Sequence, residues 1–245
     1  MCRHPFKKQE NVSKMVLVNS HVYFTLDHVS EIESGVAPYL RELANWKYHG
    51  GNTQGDRHTR NEVLLATNQI TDLVYGSSEK DFIAHHKYRA QIAALSHDIG
   101  LSFGSYDAHE PKGSVLLQKI MQESKLDFGR ADLGKISIAL GESNILVPAH
   151  STLGKILRDA DIAYVGRLGS TAALKRIDDL RDEVRTYHHP FLEEFARDDK
   201  TWWALQVSFI ENLKWQTPQA RELYDPGRIV LLERIKDINA QVQSI

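Results

Sequence analysis

The sequence predicts an all-α protein, and three observations support this fold class. Apolar residues recur at every third and fourth position along most of the chain, as on one face of an α-helix. Several of these segments begin with residues that cap helices and end at glycine. No segment of strand length alternates apolar and polar residues between hairpin signals. We therefore expect a helical bundle.

Two helices near the centre of the chain have the clearest sequence signals. The segment NEVLLATNQITDLVYG (61–76) has helical apolar spacing and ends at Gly76. The segment EKDFIAHHKYRAQIAALSHDIG (79–100) has the same spacing, and Gly100 is placed to act as its C-terminal cap.

Two further helices are predicted near the C-terminus. Thr217-Pro218 and Asp225-Pro226 each place a side-chain acceptor before a proline, which is a typical helix start. Gly, Asn, Pro and Asp gather in three segments that we expect to be loops, at 48–57, 100–110 and 141–150.

The elements suggest a central helical unit with two flanking regions. We expect an N-terminal helical extension over 1–45, a helical core over 46–190, and C-terminal helices over 191–245 that pack on the core. At 245 residues, with 42% hydrophobic and 25% charged residues, the composition is that of an ordinary globular protein.

Charge and cysteine content narrow the function classes. The chain has 30 basic and 32 acidic residues, which gives no support for binding long nucleic acids. Its apolar runs are short, and the charged N-terminus lacks a following apolar stretch, so we expect a cytoplasmic protein without a membrane partner. Cys2 has no partner, so any metal must be held by His, Asp and Glu. A small-molecule partner fits best, and a homo-oligomer is possible.

The dipeptide His97-Asp98 ends an apolar helix, where the partial negative charge of the helix end favours a cation. Imidazole nitrogen and carboxylate oxygen form a mixed ligand set suited to Mn, Fe, Co, Ni, Zn or Mg. The simpler alternative is an Asp that orients its neighbour or caps the turn. Adjacent residues on a helix point about 100° apart, so the two histidines of a pair cannot readily face one ion. We therefore predict that the histidine pairs at 85–86 and 188–189 are solvated and do not bind metal.

Three further residues accompany this dipeptide in a particular order. His58 begins an amphipathic helix upstream, and Asp159 and Asp161 lie within an apolar helix downstream. With these residues, the chain resembles the HD-domain metal-dependent phosphohydrolase superfamily, which has an H…HD…D signature. The resemblance covers roughly residues 56 to 168, and its specific parts are ALSHDIG and KILRDADI.

The resemblance implies an HD-domain-like helical bundle in which four side chains bind one divalent metal ion. The implied ligands are His58, His97, Asp98 and Asp161, with Asp159 as the alternative to Asp161. A divalent ion lowers the pKa of its water from about 15.7 to roughly 7 and polarises a phosphoryl oxygen. The implied reaction is attack of this activated water on a phosphate ester.

Three neighbouring residues are candidate catalytic groups. Lys112, at a predicted helix start, could hold a phosphate, but it could equally be a solvated lysine. Arg57, next to the first implied ligand, has the same two interpretations. His109 lies where many HD proteins carry an additional histidine, and it could protonate a leaving group or bind a second metal ion. We favour a mononuclear site.

The predicted function is hydrolysis of a small phosphate ester such as a nucleotide. Two alternatives belong to other classes. One is a diiron oxygenase of the kind that the HD fold also hosts, which would need extra histidines. The other is a ligand-binding regulator without catalytic activity.

Overall fold

The computed structural model describes residues 25–50, 57–124 and 130–245, and within these ranges the protein is helical without any strand. The prediction of an all-α fold is therefore confirmed. The described residues form eleven α-helices: α1 (Leu26–Leu43), α2 (Leu64–Tyr75), α3 (Lys80–Ser96), α4 (His109–Glu123), α5 (Arg130–Ser143), α6 (Thr152–Asp161), α7 (Tyr164–Arg167), α8 (Ser170–Thr186), α9 (Glu193–Ala196), α10 (Asp199–Asn212) and α11 (Pro218–Gln243).

Two short helices of other types contain or adjoin the predicted metal ligands. A π-helix over His58–Val63 runs directly into α2, and a 3₁₀-helix over Ile99–Phe103 follows α3. Cys2, the first part of the predicted N-terminal extension, and most of the predicted loop at 48–57 lie outside the described residues. None of the described helices is long and apolar enough to cross a membrane.

The first hydrophobic cluster joins α1 to the centre of the chain. Helix α1 buries one apolar stripe, and α2 packs on α3 while α5 packs on α6. The stripe of α1 shares this cluster with the apolar faces of α2 to α6. The N-terminal helix is therefore part of the same core that carries the predicted ligands.

A second cluster lies among the later helices. Trp202 of α10 is fully buried there, and α11 packs against both α7 and α10. The two clusters meet near the end of α1, where Trp46 belongs to the first and Tyr48 to the second. The boundaries at 45 and 190 stay a prediction, because packing does not define which segments fold independently.

The C-terminal region contains one long helix where the sequence suggested two. Thr217 caps α11 as predicted, since its side chain accepts the backbone N–H of Ala220. Asp225 does not cap a helix, because its carboxylate accepts hydrogen bonds from Trp215 Nε1 and Arg228 Nε, both at 2.8 Å. Pro226 is thus accommodated inside a continuous helix that packing holds together.

The prediction for Gly100 is also wrong. Helix α3 already ends at Ser96, and Gly100 lies buried inside the 3₁₀-helix. A Cβ at this position would overlap the carbonyl oxygen of His109 and crowd the backbone of Gly113. Glycine is required for the close approach of the 3₁₀-helix to α4, which brings His109 towards the end of α3.

Candidate metal centre

Four side chains from three parts of the fold come together: His58, His97, Asp98 and Asp161. His58 is the first residue of the π-helix, His97 and Asp98 follow α3, and Asp161 is the last residue of α6. One ligand atom from each residue lies within 4.8 Å of the others. The structure thus gathers all four residues of the predicted ligand set into one buried group that could hold a metal ion.

The distances approach those that coordination requires. His58 Nε2 lies 2.9 Å from Asp161 Oδ1, and His97 Nε2 lies 2.8 Å from Asp98 Oδ2. Ligands held about 2.0–2.2 Å from an ion lie within roughly 4.4 Å of one another. The two carboxylates would also balance the charge of a divalent ion. The spacing of the four side chains is therefore compatible with one ion held between them.

His97 provides the clearest test of fit. Its Nδ1 donates a hydrogen bond to the carbonyl oxygen of Ala94 at 2.8 Å, so the other ring nitrogen can carry a lone pair. That nitrogen, Nε2, is buried and lies 2.8 Å from Asp98 Oδ2 and 3.6 Å from Asp161 Oδ1, yet it forms no hydrogen bond of normal geometry with any described residue. Buried polar atoms are nearly always hydrogen-bonded, so an imidazole nitrogen that faces two carboxylates without such a bond fits a metal ligand.

The charges of the cluster support one another. Burial disfavours every charged form, but Asp161 raises the pKa of His58, and Asp98 with Asp161 raises the pKa of His97 well above its ordinary value. Burial raises the pKa of both carboxyl groups. His97 and His49 nevertheless lower the pKa of Asp98, and His58 and His97 lower the pKa of Asp161. The carboxylates are therefore ionised, as metal ligation requires, and the raised pKa values of the two histidines mean that metal binding would release their protons.

The structure distinguishes between the two aspartates of α6. Asp161 faces His58, whereas Asp159 is fully buried on another side of the helix. Asp159 accepts the backbone N–H groups of Gln216 and Thr217 and the Thr217 hydroxyl. Burial raises the pKa of Asp159 to about 6, although these hydrogen bonds lower it. Asp159 thus anchors the start of α11 and does not join the cluster.

A third histidine, His49, adjoins the cluster and was not singled out from the sequence. Its Nε2 lies 3.0 Å from Asp98 Oδ2, and its Nδ1 lies 2.7 Å from Glu183 Oε1. The same glutamate accepts the backbone N–H groups of Tyr48 and His49 and the hydroxyl of Tyr106. Although burial favours a neutral imidazole, Glu183 and Asp98 raise the pKa of His49 to about 10. A buried carboxylate thus orients a donor towards Asp98.

His58 has its own supporting pair. Glu62, one turn further along the π-helix, lies 3.3 Å from His58 Nδ1 through Oε2. Arg176 of α8 donates to the same oxygen at 2.7 Å and stacks over Tyr48 at 3.9 Å. These contacts hold Nδ1 of His58 and direct Nε2 to the cluster, as the partners of metal-bound histidines commonly do.

Arg176 and Glu183 could have been noticed in the sequence, because they are charged residues on the apolar face of a helix. Both follow the spacing of Ala173, Ile177 and Val184, the apolar face of α8. Charged residues on the buried face of a helix need partners inside the protein. His49 has no such signal, because it precedes a segment without periodicity and its partner lies 134 residues away.

The three predicted catalytic residues lie in different surroundings. His109 Nε2 is 3.7 Å from Asp98 Oδ1, and its Nδ1 donates to the carbonyl oxygen of Tyr106 at 3.0 Å. Lys112 donates to the carbonyl oxygen of Asp107 at 2.6 Å, and no contact described here joins it to the cluster.

Arg57 also points to groups other than the four ligands. Its guanidinium contacts Asp179 at 3.2 Å and Glu62 at 3.8 Å. A substrate-binding role for Arg57 and Lys112 therefore stays a prediction, whereas His109 directly borders the cluster.

His85 is not a solvated histidine, contrary to the sequence prediction. It is buried and contacts the guanidinium of Arg89, with Asp132 3.8 Å away. Burial and the charge of Arg89 lower its pKa to about 4, with smaller effects from Asp132, His86 and Lys135. His86 is half-buried, so neither histidine of this pair is fully solvated.

The second histidine pair is closer to the prediction. The side chain of His188 is 76% exposed and contacts Glu193 at 3.1 Å, whereas His189 is half-buried. Burial and the charge of His109 lower the pKa of His189 to about 4.

The cluster opens to solvent on one side. The side chain of Asp161 is 30% exposed and that of His109 is 19% exposed, whereas each ligand histidine is 1% exposed. No protein-family profile, curated protein or solved structure matches the chain. The resemblance to HD domains therefore rests on the four residues themselves, whose buried arrangement is compatible with an HD-type metal site.

Proposed function

We propose that the protein is a metal-dependent phosphohydrolase that acts on a small phosphate ester, such as a nucleotide. The observation that carries this proposal is the buried group of two histidines and two aspartates, in which His97 Nε2 faces both carboxylates without a hydrogen bond of normal geometry. Nitrogen and oxygen ligands suit Mn, Fe, Co, Ni, Zn or Mg. When bound, such an ion supplies an activated water and polarises the phosphoryl oxygen.

The protein's own contribution begins with orientation of the ligands. His49 donates from Nε2 towards Asp98, and Glu183 fixes the ring through Nδ1. Glu62 fixes His58 in the same way. We assign His49, Glu183 and Glu62 as positioning residues, because they act through the ligands and do not reach a substrate themselves. Such partners typically contribute about 10–100-fold to metal affinity or activity.

His109 is our candidate for proton transfer. Its Nδ1 is engaged by a backbone carbonyl, so Nε2 is the nitrogen that faces Asp98 and the partly exposed side of the cluster. A substrate bound there would place its leaving oxygen near this nitrogen. General acid catalysis contributes roughly 10²–10⁴-fold, so His109→Gln is expected to lower turnover within this range while metal stays bound.

The proposal is tested with protein that has been stripped of metal and reloaded with Mn²⁺, Co²⁺ or Ni²⁺. Phosphate or nucleoside monophosphate release is measured over a panel of nucleotides and generic phosphate esters, with and without a chelator. Wild-type protein should hydrolyse at least one substrate with one ion per chain. His97→Ala and Asp98→Ala should lose both metal and turnover, whereas His188→Ala, an exposed histidine, should keep both.

Two outcomes would replace the proposal. Two irons per chain with oxygen consumption would establish the oxygenase alternative. Bound metal without hydrolysis of any ester in the panel would favour a regulatory protein. Against a dinuclear centre, the described part of the chain gathers no second group of three or more metal-ligating side chains.

A further inference from the structure

A cavity of about 280 Å³ lies among α2, α3, α5 and α6, away from the cluster described above. None of its lining residues is a candidate metal ligand. Its wall is mainly apolar and is built from three of these helices (Ala90, Ile138, Leu153 and Ile156). Two positively charged side chains, Arg89 and Lys135, also line it. Apolar walls with a few convergent polar groups are typical of small-molecule sites.

Arg89 is buried but not fully satisfied. It is 6% exposed, and its guanidinium donates to Asp132 Oδ1 at 2.5 Å. Its Nε is buried and has no hydrogen-bond partner among the residues that the structure describes. Since buried donors are nearly always paired, this nitrogen points to an acceptor that the described residues do not provide.

The charges that border the cavity leave one positive charge in excess. Asp132 contacts Arg89 and also lies 3.8 Å from the Lys135 ammonium, so it offsets one of the two cations. His86 stacks on Tyr75 with ring centroids 4.3 Å apart. Burial, Arg89 and Lys135 lower the pKa of His86 to about 4, which leaves its imidazole neutral. The cavity therefore suits a ligand with a single negative charge.

We propose that this cavity binds a small organic monoanion, a carboxylate attached to an apolar body such as a short acyl chain. The carboxylate would be held by Arg89 and Lys135, because a guanidinium forms strong charge-assisted hydrogen bonds with carboxylates. The apolar body would contact the walls formed by α3, α5 and α6. The volume lies near the lower end of the usual range for ligand pockets, about 300–1,000 Å³.

The test is calorimetric titration of the full chain with octanoate as the probe. Octanol, which lacks the charge, and acetate, which lacks the apolar body, serve as comparators. Octanoate should bind at least about tenfold more tightly than either, a difference of roughly 1.4 kcal/mol. Equal affinity for octanoate and octanol, or no binding of octanoate, would overturn the proposal.

Matched variants locate the binding. Lys135→Glu should weaken octanoate binding by at least about tenfold, since it reverses a charge at the cavity. Lys119→Glu, the same change at a lysine of α4 that is 61% exposed and does not line the cavity, should leave binding unchanged. Equal effects of the two variants would show that octanoate responds only to overall charge.

A carboxylate could also bind a metal ion, so the titration is repeated with chelator-treated wild-type protein and with Asp98→Ala. Unchanged octanoate affinity in both supports the cavity, whatever reaction the metal centre performs. Loss of binding in chelator-treated protein would assign the carboxylate to the metal centre and overturn the proposal. In the same metal-free protein, tighter binding of octyl phosphate than of octanoate would overturn the choice of a monoanion.

Discussion

Replacing Glu183 by Gln tests whether its pairing with His49 organises the candidate metal centre. Glu183 is 1% exposed and accepts four hydrogen bonds, from the backbone of Tyr48, the backbone and ring of His49, and the Tyr106 hydroxyl. Glutamine keeps the size of the side chain and one acceptor oxygen. It removes the charge and turns the other acceptor into a donor that faces donors.

The size of the effect follows from burial. Removing one partner of a buried ion pair typically costs about 3–5 kcal/mol of unfolding free energy, because the remaining charge is left uncompensated. The preceding residue supplies a matched control. Asp182 pairs with Lys47 at 2.5 Å, but the two side chains are 45% and 57% exposed. Asp182→Asn removes the same charge one position away and should cost less than about 1 kcal/mol.

The unfolding free energies are measured by urea denaturation of metal-free protein, followed by circular dichroism. Affinity for Mn²⁺ or Zn²⁺ is then measured by competition with a chelating dye under conditions where both variants are folded. Because His49 would no longer be held against Asp98, we expect Glu183→Gln to weaken metal binding by about 10–100-fold. Asp182→Asn should not change it.

Two results would refute this reasoning. Equal losses of stability in the two variants would mean that the buried pair contributes no more than an exposed one. A large loss of stability with unchanged metal affinity would mean that Glu183 supports the fold alone and does not position the ligands.

Two other perturbations have defined outcomes. The pKa of His85 is about 4 in the folded protein, whereas its ordinary value is 6.5. As the pH is lowered, the unfolded chain takes up this proton first, so the stability of the fold decreases between about pH 6.5 and pH 4. When the pH is lowered from 7 to 5, the unfolding free energy of His85→Gln, measured with urea, should therefore fall by about 2 kcal/mol less than that of wild type. The exposed control His188→Gln should show the same fall as wild type. Gly100→Ala should lower the thermal midpoint and the turnover, because the new Cβ would displace the backbone of His109. Gly134→Ala, on α5 with open space around it, should instead stabilise by about 0.5–1 kcal/mol; an equal effect of the two substitutions would exclude the steric argument.

The parts of the fold that could be predicted are those with local causes. Helix α2 has an apolar stripe of helical period and ends next to Gly76 as expected. Helix α3 was also predicted, but its residues 92–96 are all buried, so its last turns have no exposed face. Local signals misled where tertiary packing decides the outcome. Asp225-Pro226 has the sequence of a helix start, yet the Asp225 carboxylate accepts hydrogen bonds from the side chains of Trp215 and Arg228. Gly100 has the form of a cap, yet it serves a close helix contact.

The candidate site divides in the same way. The four predicted ligands could be selected because their order along the chain has a recognisable pattern, and the structure brings them together. His49 and Glu183 could not be paired, because their contact spans 134 positions and depends on how α8 packs. Which of Asp159 and Asp161 faces the cluster also depended on the rotation of α6, which the sequence left open.

The anchoring of α11 by Asp159 has a consequence for any shortened form of the protein. A clone or proteolytic fragment that ended near residue 190 would keep the four candidate ligands but lose all three donors that Gln216 and Thr217 provide. The Asp159 carboxylate, two positions before Asp161 on the same helix, would lose these partners, and the first hydrophobic cluster would lose Ala220 and Tyr224. Such a fragment would carry the signature of the site and still be a poor reporter of its metal affinity.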